Sequence, residues 1–113
     1  MADKEKTIRL FNNLIKNAIQ SIPKERQGLV RVTVSKSEKS DFVIIKVIDN
    51  GRGIPEEIQP RIFELHFTTK STGSGFGLAI CKSVAESSNG RIYFETELDK
   101  GTTFCVELPL AQS

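Results

Sequence analysis

The chain has 113 residues, 38% of them apolar and 27% charged, with a formal net charge of +2 scattered along its length. These proportions suit one soluble domain with a single core. No apolar run approaches membrane-spanning length, no signal peptide opens the chain, and the charge makes no case for nucleic acid or a membrane surface as partner.

In chain order, Ile8, Phe11, Ile15, Ala18, Ile19 and Ile22 recur at helical spacing, which predicts a helix from about Lys4 to Ile22, stopped by Pro23. Leu29 to Ser35 alternates like a half-buried strand, and Asp41 to Ile48 ("DFVIIKVI") reads as a more buried one. Between them lies the polar turn "KSEKSD". Asp49-Asn50-Gly51 would suit a hairpin turn, yet no strand follows. Instead Pro55 introduces a short helix over Glu56 to Phe63. Leu65 to Ser74 reads as a polar, glycine-bearing loop. Phe76 to Ser87 is predicted as a second long helix, closed by Asn89-Gly90. Arg91 to Glu97 and Thr102 to Leu108 are predicted strands joined by "LDKG" as a hairpin. Helix, two strands, short helix, loop, helix and two strands imply an α+β two-layer sandwich, with helices on one face of a mixed, mostly antiparallel sheet. Cys81 and Cys105 lie far apart and outside any CxxC motif, so both are expected to be core residues in a reducing cytosol.

Polar chemistry collects in three places. In the first helix Asn13, Asn17 and Gln20 fall together, opposite the predicted apolar stripe. Such a trio also occurs on plain solvated faces, but Asn is a mediocre helix former. Neutral amides can offer oxygens to a hard cation such as Mg²⁺ and N–H groups to phosphate. Second, a carboxylate ending a buried strand, Asp49, could accept from the exocyclic amine of a nucleobase. Gly51 and Gly53 would then let the backbone pass close to a flat ring. A loop Asp with turn glycines would look the same. Third, Gly73, Gly75 and Gly77 run into the start of the second long helix, where exposed backbone N–H groups make an anion site, and Lys70 adds a positive charge. This is neither a P-loop nor a dinucleotide fingerprint, since it lacks G-x-x-x-x-G-K-[ST] and follows a loop rather than a strand. A flexible glycine-rich loop is the plainer alternative. Together the three describe one pocket for a metal, a base and phosphates.

These residues resemble the ATP-binding domain of sensor histidine kinases, in the GHKL (Bergerat-fold) superfamily. "NLIKNA" resembles the N box, "DNGRGIP" the G1 box, "RIFELHFTTK" the F box, "GSGFGLAI" the G2 box and "GTTF" the G3 box. Each box alone is weak, but five in order over nearly the whole chain are specific. The short lid after "FTTK" is similar to the nitrogen-regulation (NtrB/NtrY-like) branch. The resemblance implies ATP and Mg²⁺ as ligands. It assigns Asn17 to the metal with Asn13 in the same shell, Asp49 to adenine, and Gly51, Gly53 and Ile54 to the lining of the base. Lys70, Ser71, Gly73, Ser74, Gly75, Phe76, Gly77 and Leu78 match the phosphate-contacting lid, and Thr102 the G3 threonine near the adenine. Gln20 stands where many relatives carry a basic residue. Phe63 and Phe67 are expected to pack, either anchoring the lid or filling the core.

Hydrolytic members place Glu one turn before the metal-binding Asn. Here that position is Asn13, which cannot act as a general base at neutral pH, so the resemblance implies a kinase that hands phosphate to histidine. His66, the single histidine, sits in "LHFTTK" and is not expected to be the phosphoacceptor. Residues 1–113 are then one catalytic domain cut from a larger kinase, monomeric alone, binding ATP with little turnover. Its partners would be the parent's dimerisation and phosphoacceptor domain and, through the full-length protein, a response regulator, but no nucleic acid. The domain would be cytoplasmic, whether or not the parent is membrane-anchored. The alternative is a stand-alone anti-sigma-type serine kinase or partner-binding switch.

Overall fold

The computed structural model describes residues 4–37, 41–64 and 77–109. Helix α1 (Lys4–Gln20) and helix α2 (Gly77–Ser87) pack on one face of a sheet of strands β1 (Val30–Lys36), β2 (Phe42–Asp49), β3 (Arg91–Glu97) and β4 (Gly101–Pro109). The strand order is β1-β2-β4-β3, and every pair is antiparallel. The α+β sandwich expected from the sequence is present, though the described sheet is wholly antiparallel rather than mixed. The short element after Pro55 is a 3-10 helix, Glu56–Arg61, with Pro60 inside it. Lacking an N–H, Pro60 cannot donate to an α-helical ladder, which suits a tight, short turn.

The antiparallel register decides which side chains meet the helices. Val47 of β2 lies opposite Phe104 of β4, which lies opposite Phe94 of β3. Phe104, Val106 and Leu108 are buried against α1 and α2 with Leu10, Leu14, Ala18, Cys81 and Ala85. Each fully buried large side chain contributes about 1.5–3 kcal/mol relative to exposure. Phe63 joins this layer, with its ring centroid 6.0 Å from Phe94 and 6.3 Å from Phe104. It is core filling, one of the two roles expected; Phe67 and His66 lie outside the described residues.

The apolar stripe of α1 differs from the expected one. Leu10 and Leu14 are wholly buried, while Ile8 and Ile19 are 52% and 59% exposed. The apolar residues of this helix spread over about half of its circumference, so periodicity alone selects no narrow face; contact with α2 and β2 selects the 10-14-18 row. The Cys81 thiol donates to Leu10 O at 3.4 Å, and burial pushes its pKa up to about 12. Cys105 is also buried, and burial raises its thiol pKa too, but it lies opposite Tyr93 on the other face of the sheet, outside the cluster under the helices that holds Cys81.

On the opposite face of the sheet, Arg91 donates from Nε to Glu107 Oε1 at 3.0 Å and the Tyr93 hydroxyl donates to Glu107 Oε2 at 2.8 Å. The bond from Arg91 holds the Glu107 carboxyl below its usual range. Donation to Glu107 pushes the Tyr93 phenol up to about 12.

Candidate functional site

The stretch Asp49–Ile54 has no strand to turn into because it is threaded between the end of α1 and the β3–β4 turn. At the α1 end, Ser21 N donates to Asn17 O at 3.0 Å, and Arg52 N donates to Ser21 O at 3.1 Å. On the other side Asp99 N donates to Arg52 O at 2.7 Å, and Ile54 N to Thr96 Oγ1 at 2.9 Å. Gly53 has φ +75°, and a Cβ there would overlap the carbonyl of Glu97. A Cβ on Gly51 would overlap Ser21. The glycines were expected to make room for a flat ring. Instead, the space each side chain would take is filled by the protein itself, so their first role is to let three chain segments meet.

Asp49 closes β2 on the helix-facing side, opposite Thr102. Both are 5% exposed. Asp49 Oδ1 accepts from Gly51 N at 2.8 Å and from Thr102 N at 3.3 Å. A buried carboxylate is costly unless hydrogen-bonded, and these two amides hold one of its oxygens. The Thr102 hydroxyl lies 2.8 Å from Thr96 Oγ1.

Two supports were missed by sequence reasoning. Arg26 Nη1 donates to Asn50 O at 2.6 Å and to Gly51 O at 2.8 Å. Asn50 Oδ1 accepts from Leu29 N at 2.8 Å while its Nδ2 donates to Gln27 O at 2.9 Å. The loop after α1 thus clamps the stretch from outside. Nothing in the spacing of Arg26 signals this; Asn50, beside Asp49, could have been suspected as a turn-former that binds backbone.

Asn17 is one turn before Ser21, which brings α1 to the same end of the sheet as Asp49. Asn13 and Asn17 are half-buried and Gln20 is exposed. At 3.6 residues per turn, Asn17 and Asn13 lie about 60° and 100° from the centre of the buried row, so they flank the core rather than oppose it. This corrects the expected placement: the buried row is turned away from the predicted stripe and towards the asparagines. Ile54 and Leu78 both pack against the core cluster. Gly77 opens α2. Lys70, Ser71, Gly73, Ser74, Gly75 and Phe76 lie outside the described residues.

A depression of about 330 Å³ is lined by Asp49, Thr96 and Thr102 together with Ile48, Glu95 and Thr103. The ladder sets Ile48, Thr103 and Glu95 on the face away from the helices and Asp49, Thr102 and Thr96 on the face towards them, so the hollow draws its lining from both.

Residues 2–112 match the family model described as histidine kinase-, DNA gyrase B- and HSP90-like ATPase. Among curated proteins, the chain is 40% identical over 101 residues to a probable C4-dicarboxylate sensor kinase of Halalkalibacterium halodurans, covering 88% of this chain and 19% of that protein. It therefore spans about a fifth of such relatives. Among solved structures, the catalytic domain of histidine kinase ThkA aligns with TM-score 0.82 at 33% identity, over 96% of this chain and 68% of that one. Full-length ShkA, solved in complex with AMPPNP, aligns with TM-score 0.81 at 28% identity, over 96% of this chain and 22% of that one. With the family model spanning nearly every residue and the same fold in histidine kinase catalytic domains, the chain belongs to the histidine kinase-, DNA gyrase B- and HSP90-like ATPase family.

Proposed function

We propose that this chain is the catalytic domain of a two-component sensor kinase, which binds Mg·ATP and presents the γ-phosphate to a histidine on a separate dimerisation domain. The observation that carries the reading is Asp49. It is a buried carboxylate with one oxygen held by Gly51 N and Thr102 N, at the end of the sheet to which α1 brings Asn17. An acceptor-only group so fixed suits the exocyclic amine of adenine. Gly51, Gly53 and Ile54 hold the loop beside the base, with Thr102 next to the carboxylate.

The donor set on α1 fits magnesium carried by a triphosphate. Asn13 and Asn17 offer amide oxygens, and no group of three or more His, Cys, Asp or Glu that could hold a metal occurs among the described residues. Mg²⁺ typically takes one or two protein oxygens alongside substrate phosphates. Bound there, it would neutralise phosphate charge. Lys70, Ser71 and the Gly73–Leu78 segment would meet the phosphates, Lys70 by charge and the glycine-rich turn by backbone N–H groups. Asn13 cannot take a proton from water, which supports transfer to a protein acceptor over hydrolysis. Positioning and charge stabilisation dominate phosphoryl transfer, and half of that geometry belongs to the acceptor domain. The isolated chain is therefore proposed to bind ATP as a monomer with little turnover. Its partners would be the parent's dimerisation domain and, through the full-length kinase, a response regulator. No helix among the described residues is long and apolar enough to cross a membrane; we place the domain in the cytoplasm, where ATP is supplied, whether or not its parent is anchored.

The test is calorimetry with a non-hydrolysable ATP analogue, with Mg²⁺ and with EDTA. Asn17→Ala is expected to weaken binding several-fold in Mg²⁺ and to change little in EDTA. Equal losses in both buffers would remove Asn17 as a metal ligand. No binding by the wild type would overturn the reading.

A further inference from the structure

Asp49, Thr102 and Thr96 stand opposite one another on three adjacent strands, β2, β4 and β3, on the helix-facing side of the sheet. Thr96 lies in none of the sequence boxes. Its hydroxyl nonetheless has three neighbours: Ile54 N at 2.9 Å, Gly101 O at 3.1 Å and Thr102 Oγ1 at 2.8 Å.

A hydroxyl has one proton to give and two lone pairs to accept with. Ile54 N can only donate, so it takes one lone pair of Thr96. Gly101 O can only accept, so it takes the single proton. What remains on Thr96 is one lone pair, and the Thr102 hydroxyl must therefore donate to it. This assignment satisfies all three contacts at once. If Thr96 donated to Thr102 instead, the Gly101 contact would have no proton.

We propose that Thr96 is a specificity-determining positioning residue. By holding the Thr102 proton sideways, it leaves Thr102 as an acceptor beside the Asp49 carboxylate. The proposal rests on the nucleotide reading above and extends it to base choice. A row of acceptors favours a base edge that carries an amine, as adenine does, and disfavours the carbonyl that guanine places there. Mispaired polar groups are what let a site reject a close analogue, because each buried group left facing its own kind loses its partner.

Thr96→Val keeps the shape and removes the hydroxyl. The Thr102 proton is then free to turn towards the base and meet a carbonyl. Calorimetry with ATP and GTP analogues is expected to show the ATP-to-GTP affinity ratio falling about tenfold, with Thr96→Ser restoring it. A purely structural role predicts that both nucleotides weaken in parallel with the ratio unchanged, and that result would overturn the proposal while leaving the ATP site standing. Thr102→Val gives a second route that keeps the Thr96 bonds to Ile54 and Gly101. It should lower the same ratio, and an unchanged ratio there would also overturn the proposal. A wild-type domain that binds neither nucleotide would overturn the site reading itself.

Discussion

Asp49→Asn is expected to weaken ATP binding at least tenfold, about 1.4 kcal/mol, while leaving the fold intact. The substitution is nearly isosteric, and the amide oxygen can still accept from Gly51 N and Thr102 N. Those two donors fix which way the amide faces. With its oxygen held inward, the NH₂ group must stand where the second carboxylate oxygen stood. A donor then faces the amine of adenine, which is also a donor, so a charge-assisted bond is exchanged for a mismatch. A hydrogen bond to a charged group is worth about 1.5–3 kcal/mol, so tenfold is the lower bound. Calorimetry on the variant, with its melting temperature measured alongside, checks this. Unchanged affinity in a folded variant would mean that the base lies elsewhere.

Gly101→Ala is expected to have the largest effect on stability. Gly101 opens β4 with φ +138°, a region that residues with a Cβ rarely enter, and its Cβ would overlap the carbonyl of Asp49. Backbone strain of this kind costs about 1–3 kcal/mol before the overlap is counted. Against a total stability of about 5–15 kcal/mol, that removes a large share. The melting temperature should fall by more than about 10 °C, at roughly 4 °C or more for each kcal/mol in a domain of this size. The strand cannot shift to relieve the overlap without moving Thr102, so surviving folded protein should also bind ATP more weakly. A variant that melts with the wild type would show that the close approach of β4 to Asp49 is not as described.

The strands were legible because β2 and β4 alternate or run apolar between clear turn residues, and their observed bounds lie within one residue of those expected. The residues of the proposed site drew notice because Asp49, Asn17 and Thr102 sit in recognisable runs, and the strand pairing sets Asp49 opposite Thr102. Helix α1 was read less well. With Ile8, Leu10, Phe11, Leu14, Ile15 and Ile19 all apolar, its pattern fits two faces, and only its contacts with α2 and β2 decide that Leu10 and Leu14 face inward. The same ambiguity misplaced the asparagines relative to the core. Arg26 and Thr96 were invisible for a different reason. Arg26 binds Asn50 O and Gly51 O, and Thr96 accepts from Ile54 N; these backbone atoms are far away in sequence and leave no mark on residue identity. The glycines of the Asp49–Ile54 stretch were found, but the reason for them is contact with Ser21 and Glu97, which needs the third dimension.

The account depends on Asp49, Thr102 and Asn17 bounding one nucleotide site on the helix side of the sheet. Amide chemical-shift mapping of the ¹⁵N-labelled wild type, titrated with a non-hydrolysable ATP analogue in Mg²⁺, tests this most directly. The expected result is a saturable shift of the Gly51 and Thr102 backbone amides together with the Asn17 side-chain amide. Shifts confined to Glu95, Glu107 and Thr103, on the face of the sheet away from the helices, would contradict it.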